Sequence, residues 1–122
     1  MKTLRIVLAD DSTVMREALQ RMFDGISGTN VVGSATNGVD ALRMVRSLEP
    51  EVLILDLSMP KLGGLQVIQE VRKSNDRIRI VVFSADPGLL LQKTCLQAGA
   101  DFYLNKSQVD ELLTICQDLR GD

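Results

Sequence analysis

Five times along the chain, a short apolar run gives way to a longer stretch whose apolar residues recur at helical spacing. Leu4-Arg5-Ile6-Val7-Leu8-Ala9 reads as a strand, and Val14, Ala18, Leu19 and Met22 then mark a helix beginning near Thr13, with Asp11 or Ser12 able to cap it. Val31 to Ala35 is a second, weaker strand, followed by Asn37-Gly38 and a helix carrying Ala41, Leu42, Val45 and Leu48 on one face, closed by Pro50. Val52 to Leu55 is the third strand. Beyond Met59-Pro60 and Gly63-Gly64, the residues Leu65, Ile68 and Val71 mark a third helix. Ile78 to Phe83 is rich in β-branched residues and reads as a strand, and the helix after it runs from Asp86-Pro87 to about Ala98, with Gly99 as its stop. Asp101 to Leu104 is a short fifth strand, and Val109, Leu112, Leu113, Cys116 and Leu119 place the last helix.

Strict strand-helix alternation with short loops requires parallel strands joined by right-handed crossovers, because a parallel neighbour is reached only through a crossover that packs back on the sheet. The expected fold is α/β: a three-layer, doubly wound sandwich with helices on both faces of a five-stranded parallel sheet. Strands one, three and four are the most continuously apolar and belong in the middle, in agreement with the flavodoxin-like order 2-1-3-4-5. In such sheets ligands sit beyond the carboxyl ends of the strands, at the switch between strands one and three. Asp10, Asp11 and Asp56 lie there.

At 122 residues the chain is expected to form one domain, residues 1–122. A net charge of −2 gives no electrostatic footprint for nucleic acid, and no apolar stretch reaches the roughly 18 residues of a membrane span or the pattern of a secretory signal. The expected location is cytoplasmic, with no membrane partner and no direct nucleic-acid contact. Cys95 and Cys116 are far apart within helical patterns and read as reduced, packed thiols rather than a disulfide or metal pair. The absence of histidine removes the commonest general base and zinc ligand, leaving carboxylates, hydroxyls and lysine to carry any chemistry.

A single aspartate after a strand most often caps the next helix. Capping needs one side chain, however, and does not explain why Asp10, Asp11 and Asp56 should crowd at one edge. Carboxylates brought together repel, and a hard divalent cation that prefers oxygen, such as Mg²⁺ or Mn²⁺, compensates them. Lys106, just past the fifth strand, would add an ammonium to the cluster.

Four motifs carry a resemblance that spans essentially the whole chain: Leu8-Ala9-Asp10-Asp11-Ser12, Leu55-Asp56-Leu57-Ser58-Met59-Pro60 with Gly63-Gly64, Phe83-Ser84-Ala85, and Gly99-Ala100-Asp101 through Lys106. In this order, each at the end of its strand, they make the chain similar to the receiver domain of two-component response regulators. The resemblance implies that Asp56 is the phosphoacceptor, the nucleophile toward a phosphohistidine on a sensor histidine kinase or phosphotransfer protein. It also implies that Asp10, Asp11, Asp56 and the backbone carbonyl of Ser58 hold Mg²⁺, while Lys106 neutralises charge on the phosphoryl oxygens. Ser84 matches the hydroxyl position that bonds the phosphoryl group, and Tyr103 the aromatic switch position, the two biasing a surface made by helix four, strand five and helix five. Tyr103 equally reads as an amphipathic residue half-buried beside the sheet. Ser58 and Asp86, two residues beyond Asp56 and Ser84, match positions that tune phosphoryl lifetime. A downstream protein or output domain and a phosphorylation-dependent homodimer are the partners so implied.

The chain departs from many such receivers in having Ser107 rather than proline after the lysine. A cis bond there would cost about 3 kcal/mol, and the sequence leaves the isomer open. Ser107 is also similar to receivers joined to helix-turn-helix outputs. Leu89-Leu90-Leu91 cannot all face one core stripe, so at least one leucine is expected toward solvent or a partner, unless the helix end is deeply seated. Two rival readings are weaker. A haloacid-dehalogenase-like phosphatase wants Asp-x-Asp after strand one and a cap insertion, whereas this chain has Asp10-Asp11-Ser12. A flavin-binding domain of the same topology wants a hydroxyl-rich phosphate cradle after Ala9, where this loop is acidic.

Overall fold

Side chains along the strands divide cleanly between two cores, and that division builds the molecule. The structure, a computed structural model, describes residues 3–85 and 88–121. Its strands are β1 (Leu4–Ala9), β2 (Thr29–Ala35), β3 (Val52–Leu55), β4 (Arg79–Ser84) and β5 (Phe102–Asn105), and its helices are α1 (Thr13–Asp24), α2 (Gly38–Leu48), α3 (Gly64–Arg72), α4 (Leu89–Ala98) and α5 (Val109–Leu119). All strand pairs are parallel, in the order β2-β1-β3-β4-β5. The expected doubly wound, flavodoxin-like sandwich is the observed one.

Leu4, Ile6 and Leu8 of β1, Val52 and Ile54 of β3, and Val81 and Phe83 of β4 pack with Leu19 and Phe23 of α1 and Leu112 and Cys116 of α5. The intervening residues Val7, Ala9, Leu53, Leu55, Ile80 and Val82 pack with α2, α3 and α4 through Ala41, Val45, Ile68, Val71 and Cys95. Since successive strand side chains point to opposite faces, a strand covered on both must be apolar throughout, and β3 is buried at every position. Each fully buried Leu, Ile or Phe contributes about 1.5–3 kcal/mol relative to exposure.

Several expected boundaries and faces differ. On α1 the buried stripe is Leu19 and Phe23 with Met15 and Met22 beside them, while Val14 is 77% exposed and Ala18 is also exposed. The helical phase is therefore turned by about one residue, because the face the sheet covers sets it. Ser12 rather than Asp11 is the cap, its Oγ accepting the Met15 N–H at 3.2 Å. β2 begins earlier than its apolar residues indicate, with Thr29 and Asn30 already paired to Leu4 and Arg5. β4 and β5 each begin one residue later than expected, at Arg79 and Phe102. The helix start assigned to Pro87, and Asp86 beside it, lie outside the described residues; within them α4 begins at Leu89 after Gly88. Of the leucine triplet, Leu89 and Leu90 are 81% and 78% exposed and Leu91 packs on the core. Cys95 and Cys116 are buried and free, and burial pushes the Cys116 thiol up to about 11.

Candidate functional site

The same alternation that sorts the cores brings the reactive groups together. Residues 8, 54 and 104 belong to the face covered by α1 and α5, and the next positions in phase are Asp10, Asp56 and Lys106. The parallel ladder continues one residue beyond each of these strands. The Asp10 N–H donates to the Ala35 carbonyl at 3.1 Å, Asp56 to Ala9 at 2.8 Å and Lys106 to Ser84 at 3.0 Å. Backbone hydrogen bonding thus holds the three residues at the carboxyl edge of the sheet, where the apolar cover ends.

Asp10, Asp11 and Asp56 each offer a carboxylate oxygen within 4.8 Å of the others. Asp10 and Asp56 are buried and Asp11 is exposed. The Lys106 ammonium lies 2.8 Å from Asp10 Oδ2 and 3.6 Å from Asp56 Oδ2. One ammonium against three carboxylates leaves an excess of negative charge in a partly dry cleft. Burial, then the neighbouring Asp10 charge, raise the Asp56 carboxyl above the ordinary range, with Asp11 adding to the effect; Lys106 and a hydrogen bond from the Ser58 backbone N–H oppose them. Burial works to discharge Lys106, but its hydrogen bond to Asp10 and the charges of Asp56 and Asp10 outweigh that, and the ammonium is held more firmly than usual.

An all-oxygen donor set gathered this closely fits a hard divalent cation such as Mg²⁺, which Asp10, Asp11 and Asp56 would hold. The loop after Asp56 closes tightly over the strand end. The Gly64 N–H donates to the Leu57 carbonyl at 3.1 Å, and a Cβ on Gly64 would come within 2.7 Å of the Asp56 carbonyl oxygen and the Leu57 Cα. Glycine is needed there because backbone approaches backbone.

Of the residues singled out from sequence, Asp10, Asp11, Asp56 and Lys106 converge, and Ser58 is exposed beside them with its N–H on Asp56. Ser84 is buried at the end of β4, and its carbonyl receives the Lys106 N–H. Tyr103 is half-buried against the core under α2, α3 and α4, as its amphipathic reading expected. Ser84 continues the Val82 phase toward that same side, and β5 pairs Tyr103 with Val82 and Asn105 with Ser84, so the two residues occupy adjacent strands one pleat repeat apart. The Lys106–Ser107 bond is trans. Asp86 lies outside the described residues. Arg16, to which the sequence attached no role, donates from its guanidinium to the Asp10 carbonyl at 2.7 Å; a cation in the first turn of the helix that follows an acidic pair is the signal in the sequence.

Residues 6–117 match the response regulator receiver domain family. The response regulator MprA of Mycobacterium avium is 40% identical over 113 residues, covering 90% of this chain and 48% of that protein. A protein-glutamate methylesterase/protein-glutamine glutaminase of Treponema denticola is 32% identical over 124 residues, covering 98% of this chain and 33% of the relative. The chain thus spans a third to a half of the length of these curated relatives. Among solved structures, the response regulator domain of Thermotoga maritima CheB superposes with a TM-score of 0.90 at 25% identity, covering 99% of this chain and 98% of the other. A two-component response regulator of the LuxR family from Aurantimonas superposes with a TM-score of 0.91 at 29% identity, covering 98% and 86%.

Proposed function

Because the chain belongs to the response regulator receiver domain family of two-component signalling, we propose that Asp56 accepts a phosphoryl group from a phosphohistidine on a sensor histidine kinase or phosphotransfer protein. A carboxylate oxygen of Asp56 forms the new bond to phosphorus as the bond to the histidine nitrogen breaks, the electron pair leaving with the imidazole. The observation that carries this reading is the convergence of Asp10, Asp11 and Asp56 within 4.8 Å beside the Lys106 ammonium.

Asp10, Asp11, Asp56 and the Ser58 carbonyl would hold Mg²⁺ or Mn²⁺, which when bound neutralises charge on the phosphoryl oxygens. Lys106, 3.6 Å from Asp56 Oδ2, supplies a second positive group where charge develops. The Ser58 N–H orients the attacking carboxylate. Ser84 then bonds a phosphoryl oxygen, and the space it vacates admits the Tyr103 ring, shifting the surface of α4, β5 and α5 between two states. Ser58 and Asp86 set the lifetime by influencing the water that hydrolyses the acyl phosphate.

In this reading residues 1–122 form one cytoplasmic receiver that catalyses only its own phosphorylation and dephosphorylation. Its partners are the phosphodonor, a downstream protein or output domain, and a second phosphorylated copy; it makes no direct nucleic-acid or membrane contact.

Incubation with acetyl phosphate and Mg²⁺ should add one phosphoryl group by intact mass, and beryllofluoride should give an Asp56-dependent spectral change. Asp56→Asn should abolish both. Equal labelling of Asp56→Asn and the parent chain would sink the assignment. In the same assay Asp86→Ala should change the dephosphorylation rate, and an unchanged rate would remove Asp86 from the mechanism.

A further inference from the structure

Asp10 is anchored at every polar atom. Its N–H donates to the Ala35 carbonyl at 3.1 Å, its Oδ1 accepts the Ser12 N–H at 2.9 Å, its Oδ2 takes the Lys106 ammonium at 2.8 Å, and its carbonyl oxygen accepts from the Arg16 guanidinium at 2.7 Å. The first belongs to the strand ladder, the second to the turn into α1, and the third to the charge cluster. The fourth belongs to none of these. Arg16 reaches back from the start of α1, and its other terminal nitrogen donates to Thr13 Oγ1 at 3.2 Å, so the guanidinium is braced across the turn between β1 and α1.

The carbonyl that Arg16 grips is part of the peptide unit joining Asp10 to Asp11. A peptide is planar, so holding its oxygen also holds the direction in which the chain enters Asp11. Asp11 is the exposed member of the carboxylate trio, and its position depends on that peptide plane.

The geometry points to Arg16 as a positioning residue for the cation site: by clamping the Asp10–Asp11 peptide it presets the acidic pair to receive a divalent cation. The inference rests on the reading of this edge as a Mg²⁺ site. It has a signature that separates it from simple electrostatics. A guanidinium near carboxylates repels a second cation, so loss of its charge alone would tighten Mg²⁺ binding. Loss of a clamp acts the other way, because ligands that must be ordered on binding cost affinity. The guanidinium is partly exposed, so its long-range repulsion is screened by salt. Deleting outer contacts that orient metal ligands weakens metal affinity by about 10–100-fold. The clamp therefore outweighs the charge.

Arg16→Met keeps much of the aliphatic stem and removes both donors, whereas Arg16→Lys keeps the charge and one reach to the carbonyl. Mg²⁺ affinity by calorimetric titration, Mn²⁺ affinity by electron paramagnetic resonance and thermal unfolding in EDTA should be measured on both variants and the parent chain. Arg16→Met should weaken Mg²⁺ binding by about tenfold or more and Arg16→Lys by less, with the metal-free unfolding temperature nearly unchanged. Unchanged or tighter Mg²⁺ binding by Arg16→Met would overturn the inference. So would weakened binding that merely tracks a large fall in metal-free stability, which would assign Arg16 to the fold. If the parent chain takes up no Mg²⁺, the reading of the site fails and this inference with it; if the parent binds and Arg16→Met binds equally, the inference alone fails.

Discussion

The two ends of the parallel sheet handle clustered charge in opposite ways. At the carboxyl end, Asp10 and Asp56 share the Lys106 ammonium, and Asp11 adds a third carboxylate. At the amino end, the Asp101 carboxylate meets Arg72 at 2.9 Å and Arg79 at 3.6 Å, and also accepts the Ile80 N–H at 2.8 Å. Arg72 in turn donates to the carbonyls of Gly99, Asn75 and Ile78 at 2.9, 3.1 and 2.8 Å. Gly99, at a φ of 122°, lies so close that a Cβ there would stand 2.6 Å from Arg72 Cγ. One end is a closed network that ties α3 to the starts of β4 and β5. The other is left with surplus negative charge, the condition under which a cation and an electrophile have somewhere to act.

The sharpest way to break this contrast is to disturb the closed end. Arg72→Ala leaves the Asp101 carboxylate with Arg79 alone at 3.6 Å and removes the charged donor from three carbonyls, and should cost about 3 kcal/mol in urea unfolding. A loss below about 1 kcal/mol would mean that the network is decorative. The folded fraction should still take phosphate from acetyl phosphate.

A smaller effect of opposite sign is expected at the open end. Asp56 has a folded-state pKa raised above the ordinary 3.8. Between those two values the native state binds more protons than the unfolded chain, so this group's contribution is full at low pH and is lost as pH rises through the raised value. Asp56→Asn removes that loss. In EDTA the substitution should therefore raise the unfolding temperature at pH 7, with little difference near pH 3. A lower unfolding temperature for Asp56→Asn at pH 7 would show that the cluster is not strained by its charge.

Much of the architecture is legible in the sequence. β1 and β3 have the expected limits because strands buried on both faces are written as apolar runs, interrupted here only by the half-buried Arg5. Asp10 and Asp56 stand out because each follows such a run, and Lys106 because it lies just past the short fifth strand. The misplaced features fail for physical reasons. Val14 and Ala18 satisfy helical spacing as well as Met15 and Leu19 do, and only the sheet decides which face is covered. Thr29 and Asn30 pair on an edge strand where polar residues carry no apolar signal. Asp101 reads as the first residue of a strand, yet its side chain caps the Arg72 network and β5 begins after it. Arg16 carries only the weak signal of a cation in the first turn of α1, because its role depends on a carbonyl six residues earlier.

By itself the sequence determined the alternation of strand and helix, the parallel sheet that alternation demands, and the residue types collected at its carboxyl edge. These depend on periodicity and on local chemistry, which a linear chain records. Tertiary structure alone decided the 2.8 Å preference of Lys106 for Asp10 over Asp56, the grip of Arg16 on the peptide between Asp10 and Asp11, and the face shared by Ser84 and Tyr103. Each of these is a distance between atoms that packing brings together, and the depth of burial that makes such distances matter exists only once the sheet and its helices have closed.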